Sequence, residues 1–506
     1  MKSLKFCLGA CAIFAAGAAG AAGSVVEFDT TKTGDDIMWT DLSNWKVGGE
    51  QSPALPSSAD AAKFTLNGAE LTVNFPESTD ITLANLWIYG PGKLTFKMPA
   101  TSSIYIPTDN SNSSESAPGS GRTAMVVRNG ALFTLDGGAI TNATGSKYNY
   151  LLLSGEDTKV FVANGAKFAF YTRFPSKSGS APAISDGTGN EIHVTGEGSE
   201  LKLSGTVGGT RSKIVAENGG SVLGLPAAGS HEGLMFIVTN NATTAGVLYG
   251  SNVKALFDGA TLDSSTLSLE PGSVANFTWD VANSTVSLLS FYWGKQSCKS
   301  CRLNLTNSTF TASKYHQTGG RKDSDGNWLT SEDMGVVIRK SAVFHAGSAN
   351  GKTLSIGNYS TNDFIFVDGG TLQSDWDATI CAEGSSNAIF KVRGETASAV
   401  FSRSLNFQNG SVLACELPLP TDRPVITCAG QVTLKDNVKY EVTVPKDFSQ
   451  KTSCTLLTST KTISGEIAPE NVVVNGKATA TVEKSADGKS ILLTVKPLSG
   501  LMLILR

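Results

Sequence analysis

The sequence predicts an all-β protein, a right-handed parallel β-helix (β-solenoid) with irregular loops and β-rich caps at both ends. Three observations carry that prediction. Apolar residues alternate with period two in short runs such as Lys63-Phe64-Thr65-Leu66, Leu71-Thr72-Val73 and Leu94-Thr95-Phe96, the spacing of strands with one buried face. Beyond the first 23 residues no stretch shows a helical stripe with caps, and 53 glycines with abundant Ser, Thr and Asn interrupt every helix start. Finally, an Asx-Gly or Gly-Gly corner, then a small residue, then alternating apolar positions, recurs along the chain.

The recurring unit reads Asn129-Gly130-Ala131-Leu132-Phe133, Asn164-Gly165-Ala166-Lys167-Phe168, Asn218-Gly219-Gly220-Ser221-Val222, Asp258-Gly259-Ala260-Thr261-Leu262, Asp368-Gly369-Gly370-Thr371-Leu372 and Asn409-Gly410-Ser411-Val412-Leu413. Asn, Asp and Gly accept the positive φ of a sharp corner, and the strand that follows presents one face inward. Such a unit cannot bury its face alone, so its repetition implies stacked coils. The spacing is uneven, which requires loops of different lengths. Asx-Gly before a strand is also a hairpin signal, so stacked antiparallel sandwiches are the alternative.

At the start, Lys2 and Lys5 precede the apolar stretch Phe6 to Phe14, and Ala and Gly follow to Gly23. This is the n-region, h-region and small-residue cleavage zone of a signal peptide. The reading assigns 1–23 to the signal, places the mature start near Ser24, and expects export to periplasm, outer surface or medium. An alternative takes Leu8-Gly9-Ala10-Cys11 as a lipobox with Cys11 lipidated. No later segment approaches the ~18 apolar residues of a membrane helix, so no transmembrane anchor is expected, and Leu501 to Leu505 reads as a last strand. The mature chain divides into an N-terminal cap module (24–107), an irregular β-helix (108–415) and a closing β-rich segment (416–506). Its clearest loop is the Ser, Asn, Gly and Pro run from Thr108 to Arg122.

A formal charge of −3 from 41 basic and 44 acidic residues supplies no positive field for a phosphate backbone, which argues against nucleic acid. Export makes disulfides the default for the cysteines that outlast the signal, Cys298, Cys301, Cys381, Cys415, Cys428 and Cys454. The local candidates are Cys298 with Cys301 and Cys415 with Cys428.

Trp39-Thr40-Asp41-Leu42-Ser43-Asn44-Trp45, Gly48-Gly49, Pro53, Pro56 and Asp60-Ala61-Ala62-Lys63-Phe64 resemble the opening module of secreted bacterial autotransporter-type or PEP-CTERM-like β-helix proteins. The resemblance covers about Met38 to Phe96. It implies a cap on a parallel β-helix and a Gram-negative type of source. The tail, with Val472-Val473-Val474-Asn475-Gly476 and Ser490 to Val495, is similar to the closing strands of the same passengers. Only eleven residues follow Val495, too few for a translocation barrel, so self-translocation is not expected.

Catalytic sets are fragmentary. Galacturonan hydrolases, which share the fold, would require Asn-Thr-Asp, Asp-Asp, Gly-His-Gly and Arg-Ile-Lys on successive coils. Here Val337-Ile338-Arg339-Lys340 departs from the last, no Gly-His-Gly exists, and Asp35-Asp36 lies in the cap. Asp375 and Asp377 are spaced to share one strand face, as a glycosidase pair would, although solvated carboxylates are the plainer reading. Cys298-Lys299-Ser300-Cys301 has the spacing of half a zinc site or a redox pair, with His316 the nearest further ligand. Asp323-Ser324-Asp325-Gly326-Asn327 alternates oxygen ligands but misplaces the Gly and lacks the Glu of a calcium loop. His193, His231, His316 and His345 are scattered. Trp279, Trp293, Trp328 and Trp376 would stack on sugars only if they shared a face. The expectation is therefore a non-catalytic surface or secreted β-helix in adhesion or envelope structure, without catalytic, metal or cofactor residues, its partner a polysaccharide or another surface component. A carbohydrate-binding or carbohydrate-active β-helix with a site assembled from distant coils is the alternative.

Overall fold

Most coils turn where a residue takes positive φ, and those residues stack. At the corner leading into the longest sheet stand Asn67, Asn129, Asp157, Arg211, Asn252, Asn276, Ser300, Asp333, Asn362 and Asn387, all with φ between 48° and 60°. At the corner leading out of it stand Asn164, Asn218, Asn240, Asn283, Asn307 and Ser341, with φ between 47° and 53°. Asparagine tolerates this region better than other side-chain-bearing residues. The corner amides bond to the coil that follows: Asn252 N donates to Ala275 O at 2.8 Å and Asn276 N to Lys299 O at 2.9 Å. The side chains add rungs, Asn276 Nδ2 to Asn252 Oδ1 at 2.9 Å and Asn387 Nδ2 to Asn362 Oδ1 at 2.7 Å.

The computed structural model describes residues 23–32, 34, 36–107, 123–142, 150–171, 188–204, 206–207, 211–224, 227–228, 233–269, 274–293, 298–317, 321–322, 325, 328–347 and 353–498. Among them there is no α-helix, only the 3-10 turns Leu42–Asn44 and Pro469–Asn471 between strands. The architecture is a parallel β-helix. Its longest sheet has 16 strands, running from Glu70–Asn74 to Val472–Asn475. In it Lys213, Met235, Lys254, Thr278 and Arg302 occupy one register position, at steps of 22, 19, 24 and 24 residues. A second sheet stacks Val25–Phe28, Ala61–Thr65, Asn85–Tyr89, Thr123–Arg128 and Tyr150–Ser154 in parallel. The third sheet forks at Thr309–Gln317: Thr309 to Ala312 pair with Val343–Ala346, and Tyr315 and His316 pair with Leu354–Ile356. Both branches continue in parallel to Ile426–Cys428 and Val432–Leu434.

This topology removes the sandwich alternative. The strand after each Asx-Gly corner pairs with its equivalent in the next coil, not back across the turn. The small residue after the corner also has a physical reason, because it tucks beneath the preceding coil. A Cβ on Gly370 would lie 2.7 Å from Ile338 Cγ2 and 2.8 Å from Ile338 O. Parallel pairing crosses both expected segment boundaries, through Leu86 with Met125 and Cys415 with Val442. Antiparallel pairing closes the far end, where Ser490–Pro497 lies between Thr452–Ser459 and Ala478–Lys484.

The interior is filled by inward side chains stacked coil on coil. Phe257 meets Trp279 at 5.4 Å, Trp279 meets Phe310 at 5.3 Å, and Phe310 meets Phe344 at 5.4 Å between ring centroids, the range of favourable aromatic pairs. Ala255, in register with both Phe236 and Trp279, leaves room for their rings. The open N-terminal coil is plugged by the Trp/Asn-Trp segment. Trp39 and Trp45 are buried against Phe28, Phe64, Phe75 and Phe96. Asp41 caps the short turn through Ser43 N, Asn44 Nδ2 donates to Met38 O, and Trp45 Nε1 donates to Trp39 O at 2.9 Å.

Because contacts in a solenoid are local, Trp45→Ala is expected to remove about 3–5 kcal/mol from the cap. Hydrogen exchange should accelerate in residues 25–97 while coils beyond residue 364 keep their protection. Uniform acceleration along the chain would contradict a locally stabilising plug.

Candidate functional site

In-register stacking places equivalent strand positions about 4.7–4.9 Å apart, so outward side chains of successive coils meet. In two columns of the 16-stranded sheet these meetings alternate in charge. Lys159, Glu191 and Lys213 share a register position. Glu191 Oε1 is 2.9 Å from Lys213 Nζ, and Oε2 is 3.4 Å from Lys159 Nζ and 2.8 Å from His193 Nε2. The His193 ring stacks on Phe161 at 4.6 Å. Burial pushes Glu191 up, but hydrogen bonds from His193 and Lys213 and the charges of Lys159 and Lys213 outweigh it and lower the carboxyl to about 2.

A second ladder runs through Arg339, Asp368, Arg393 and Glu416. Arg393 donates to both Asp368 oxygens at 2.7 and 2.8 Å and to Glu416 Oε1 at 3.0 Å, while Arg339 Nε lies 4.0 Å from Asp368. Lys391 reaches Glu416 Oε2 at 2.9 Å, and Lys391 and Arg393 both lie over the Phe366 ring. Glu416 is pushed up by burial, yet Lys391 and Arg393 hold it below its ordinary value. Opposite charges directly across a ladder stabilise it and like charges destabilise it, so these columns set register as well as surface charge.

One groove brings three carboxylates together. It has a volume of about 530 Å³ and is lined by Glu156, Asp157, Glu191, Arg211 and Lys213 among others. Glu191 is fixed in its ladder, and Asp157 lies along the corner: a Cβ on Gly189 would come within 2.6 Å of Asp157 Oδ1. A second groove, of about 470 Å³, is formed by Leu417, Pro418, Leu419, Pro420, Phe448 and their neighbours. Glycoside hydrolysis needs one carboxyl that keeps its proton near neutrality beside one that is ionised. The first groove offers a carboxylate stripped of its proton far below neutrality.

The sequence-selected residues do not converge. Asp375 and Asp377 fall in a bend between Thr371–Ser374 and Ala378–Ile380 rather than on one strand. Asp375 Oδ2 pairs with His345 Nε2 at 2.8 Å, and Asp377 Oδ1 accepts from Ser404 N at 3.1 Å. Trp279 is core, and Trp376 lies beneath the Arg403 guanidinium at 3.5 Å. Arg339 is an exposed strand end that donates to Asn304 Oδ1. Cys11, Asp35, His231, Asp323, Ser324, Gly326 and Asn327, as well as the side chains of Trp293, His316 and Trp328, lie outside the described residues. Among the described residues no three His, Cys, Asp or Glu side chains come together to hold a metal, and no helix is long and apolar enough to cross a membrane.

Cys298, Cys301, Cys381, Cys415, Cys428 and Cys454 are all buried, and none of them is joined in a disulfide. Cys298 and Cys301 flank the Ser300 corner, and Cys298 donates to the Cys301 sulfur, which raises Cys298 and lowers Cys301. Cys415 lies on Ser411–Glu416 of the long sheet and Cys428 on Ile426–Cys428 of the forked one. Burial raises Cys415, and the thiol whose charge it feels is Cys454.

One buried carboxyl escaped the sequence reading. Asp363 is fully buried, with Oδ1 accepting from Met334 N at 3.0 Å and Oδ2 without a hydrogen bond. Burial raises it to about 7. The two acids give opposite pH dependences. Glu191, depressed, stabilises fully above about pH 4.5, and that stability is lost as pH falls toward 2. Asp363, raised, binds its proton more tightly when folded, so stability declines as pH rises from about 3.8 to about 7. Thermal melts across pH 2–8 (about this range spans both windows) should show Glu191→Gln flattening the acid limb and Asp363→Asn flattening the decline above it. A common effect of both substitutions on one limb would refute the assignment.

No protein-family model and no curated protein matches the chain.

Proposed function

We propose that the chain is a non-catalytic, exported β-helix of the autotransporter-passenger type, a surface or secreted scaffold in adhesion or envelope structure. The observation supporting this reading is that the carboxylates of the lateral sheet, Glu191, Asp368 and Glu416, are paired in register with cations one coil away. Charges used this way neutralise the flank of a rod and do not move protons. Recognition then belongs to the loops that leave the coils at uneven intervals, and the expected ligands are polysaccharide or another surface component.

The groove at Glu156, Asp157, Glu191, Arg211 and Lys213 favours a second reading, a carbohydrate-active β-helix. Incubation with neutral and uronate polysaccharides, followed by reducing-end and unsaturated-product assays, separates the two. The scaffold reading expects no turnover, with any retention on a glycan array unaffected by Glu191→Gln. Turnover that Glu191→Gln abolishes would establish the enzyme and end the scaffold reading.

Export also has a redox corollary. Cys298 and Cys301 face each other across one corner, so exchange with a small-molecule disulfide would join their sulfurs and release two equivalents of the reduced thiol. Alkylation of the denatured, unreduced exported protein should leave these two unmodified and label Cys381 and Cys428. Labelling of Cys298 and Cys301 would show that the corner stays reduced.

A further inference from the structure

The first strand begins at Val25, two residues after the small-residue zone ends at Gly23, and a carboxylate waits at the residue between them. Ser24 N lies 2.9 Å from Asp60 Oδ1. Ser24 O accepts from Ala61 N at 3.0 Å, and Val25 pairs in register with Ala61, so Ser24 is the point at which the chain joins the first sheet. Asp60 is itself held from two sides. Its Oδ2 accepts from Ser57 N at 3.0 Å and Ser57 Oγ at 2.6 Å, and its main-chain carbonyl accepts from Ala84 N of the next coil at 2.9 Å. The charged neighbours on the paired strands, Glu27 and Lys63, are occupied with each other at 3.2 Å. Among the described residues, Oδ1 of Asp60 is therefore turned toward a single donor, the Ser24 nitrogen.

The sequence around that nitrogen supplies an independent indication. Ala21 and Gly23 stand third and first before Ser24, the two places where signal cleavage demands small residues. We propose that the leader is removed between Gly23 and Ser24 and that the α-ammonium so created docks on Asp60, locking the first coil at the moment of maturation. The proposal rests on the export reading and sharpens it. In the reaction, water adds across the Gly23–Ser24 peptide bond under a signal endopeptidase. The hydroxyl goes to the Gly23 carbonyl, giving the leader's carboxylate, and the nitrogen keeps its hydrogen, gains another and is protonated at neutral pH. A neutral amide contact to Asp60 thus becomes a charge-assisted one. Cleavage one residue earlier would leave the ammonium on Gly23, roughly 3.3–3.6 Å further along the chain, with only an amide at Asp60. Acylation at Cys11 would leave no ammonium there at all.

The test uses protein exported from the full precursor. Intact mass and N-terminal sequencing should give Ser24. Reductive methylation across pH should place its α-amine roughly 0.2–0.7 pH unit above the ordinary value of about 7.7–8.0. Asp60→Asn should restore the ordinary value, whereas Ser57→Ala, which removes a donor from the other oxygen, should leave it raised. Where Asp60→Asn is not recovered, about 1 M salt should lower the wild-type value toward the ordinary one, since an exposed pair is screened. A processed chain starting elsewhere overturns the docking and leaves export standing. An unprocessed chain overturns both. A Ser24 amine that titrates normally, or ignores Asp60→Asn and salt, overturns the ion pair.

Discussion

The positive-φ corner is the constraint on which the molecule depends. A strand stacks in register on its predecessor only if both coils turn at the same station, and an L-residue holds that station at a conformational cost that Asn keeps low. The corner amides then bond from coil to coil, Asn252 to Ala275 and Asn276 to Lys299. With the turns fixed, Trp279 falls on Phe310 and Glu191 between Lys159 and Lys213 without further instruction. Between stations the chain is free, which is why steps of 19 and 24 residues coexist in one sheet.

That division explains what is legible in the sequence. The corners can be read because each is a local event: Asn218-Gly219-Gly220 announces a turn, a close approach and a strand within a few residues. The Trp39 to Trp45 segment is legible for the same reason, its hydrogen bonds spanning six residues or fewer. The lateral ladders are not. Arg393 meets Asp368 25 residues back and Glu416 23 residues on, and those offsets have meaning only once the coil lengths are known. Asp363 is hidden differently, since an Asn362-Asp363 pair reads as a polar turn and only the stacking turns the second side chain inward. Asp375 and Asp377 show the reverse error, in which period-two spacing suggests a shared strand face where the chain bends.

The ladders also bear on how the surface meets its surroundings. A flank whose charges cancel coil by coil has little long-range field, so it neither gathers counter-ions nor steers charged partners. The aromatic rings beneath the cations, Phe366 under Lys391 and Arg393, keep the long side chains extended along the sheet. On the scaffold reading proposed above, such a flank is suited to lying beside other material, and selectivity would fall to the loops.

The alternation in the second ladder has a consequence for the history of the rod. Arg339, Asp368, Arg393 and Glu416 occupy four successive coils with signs that change at every step. Loss of the single coil carrying Arg393 would lay Asp368 against Glu416, two like charges in direct register. Loss of the two coils carrying Asp368 and Arg393 would instead bring Arg339 onto Glu416 and heal the column. The ladder thus acts as a parity rule on the number of coils, permitting the rod to grow or shrink in pairs more easily than by one.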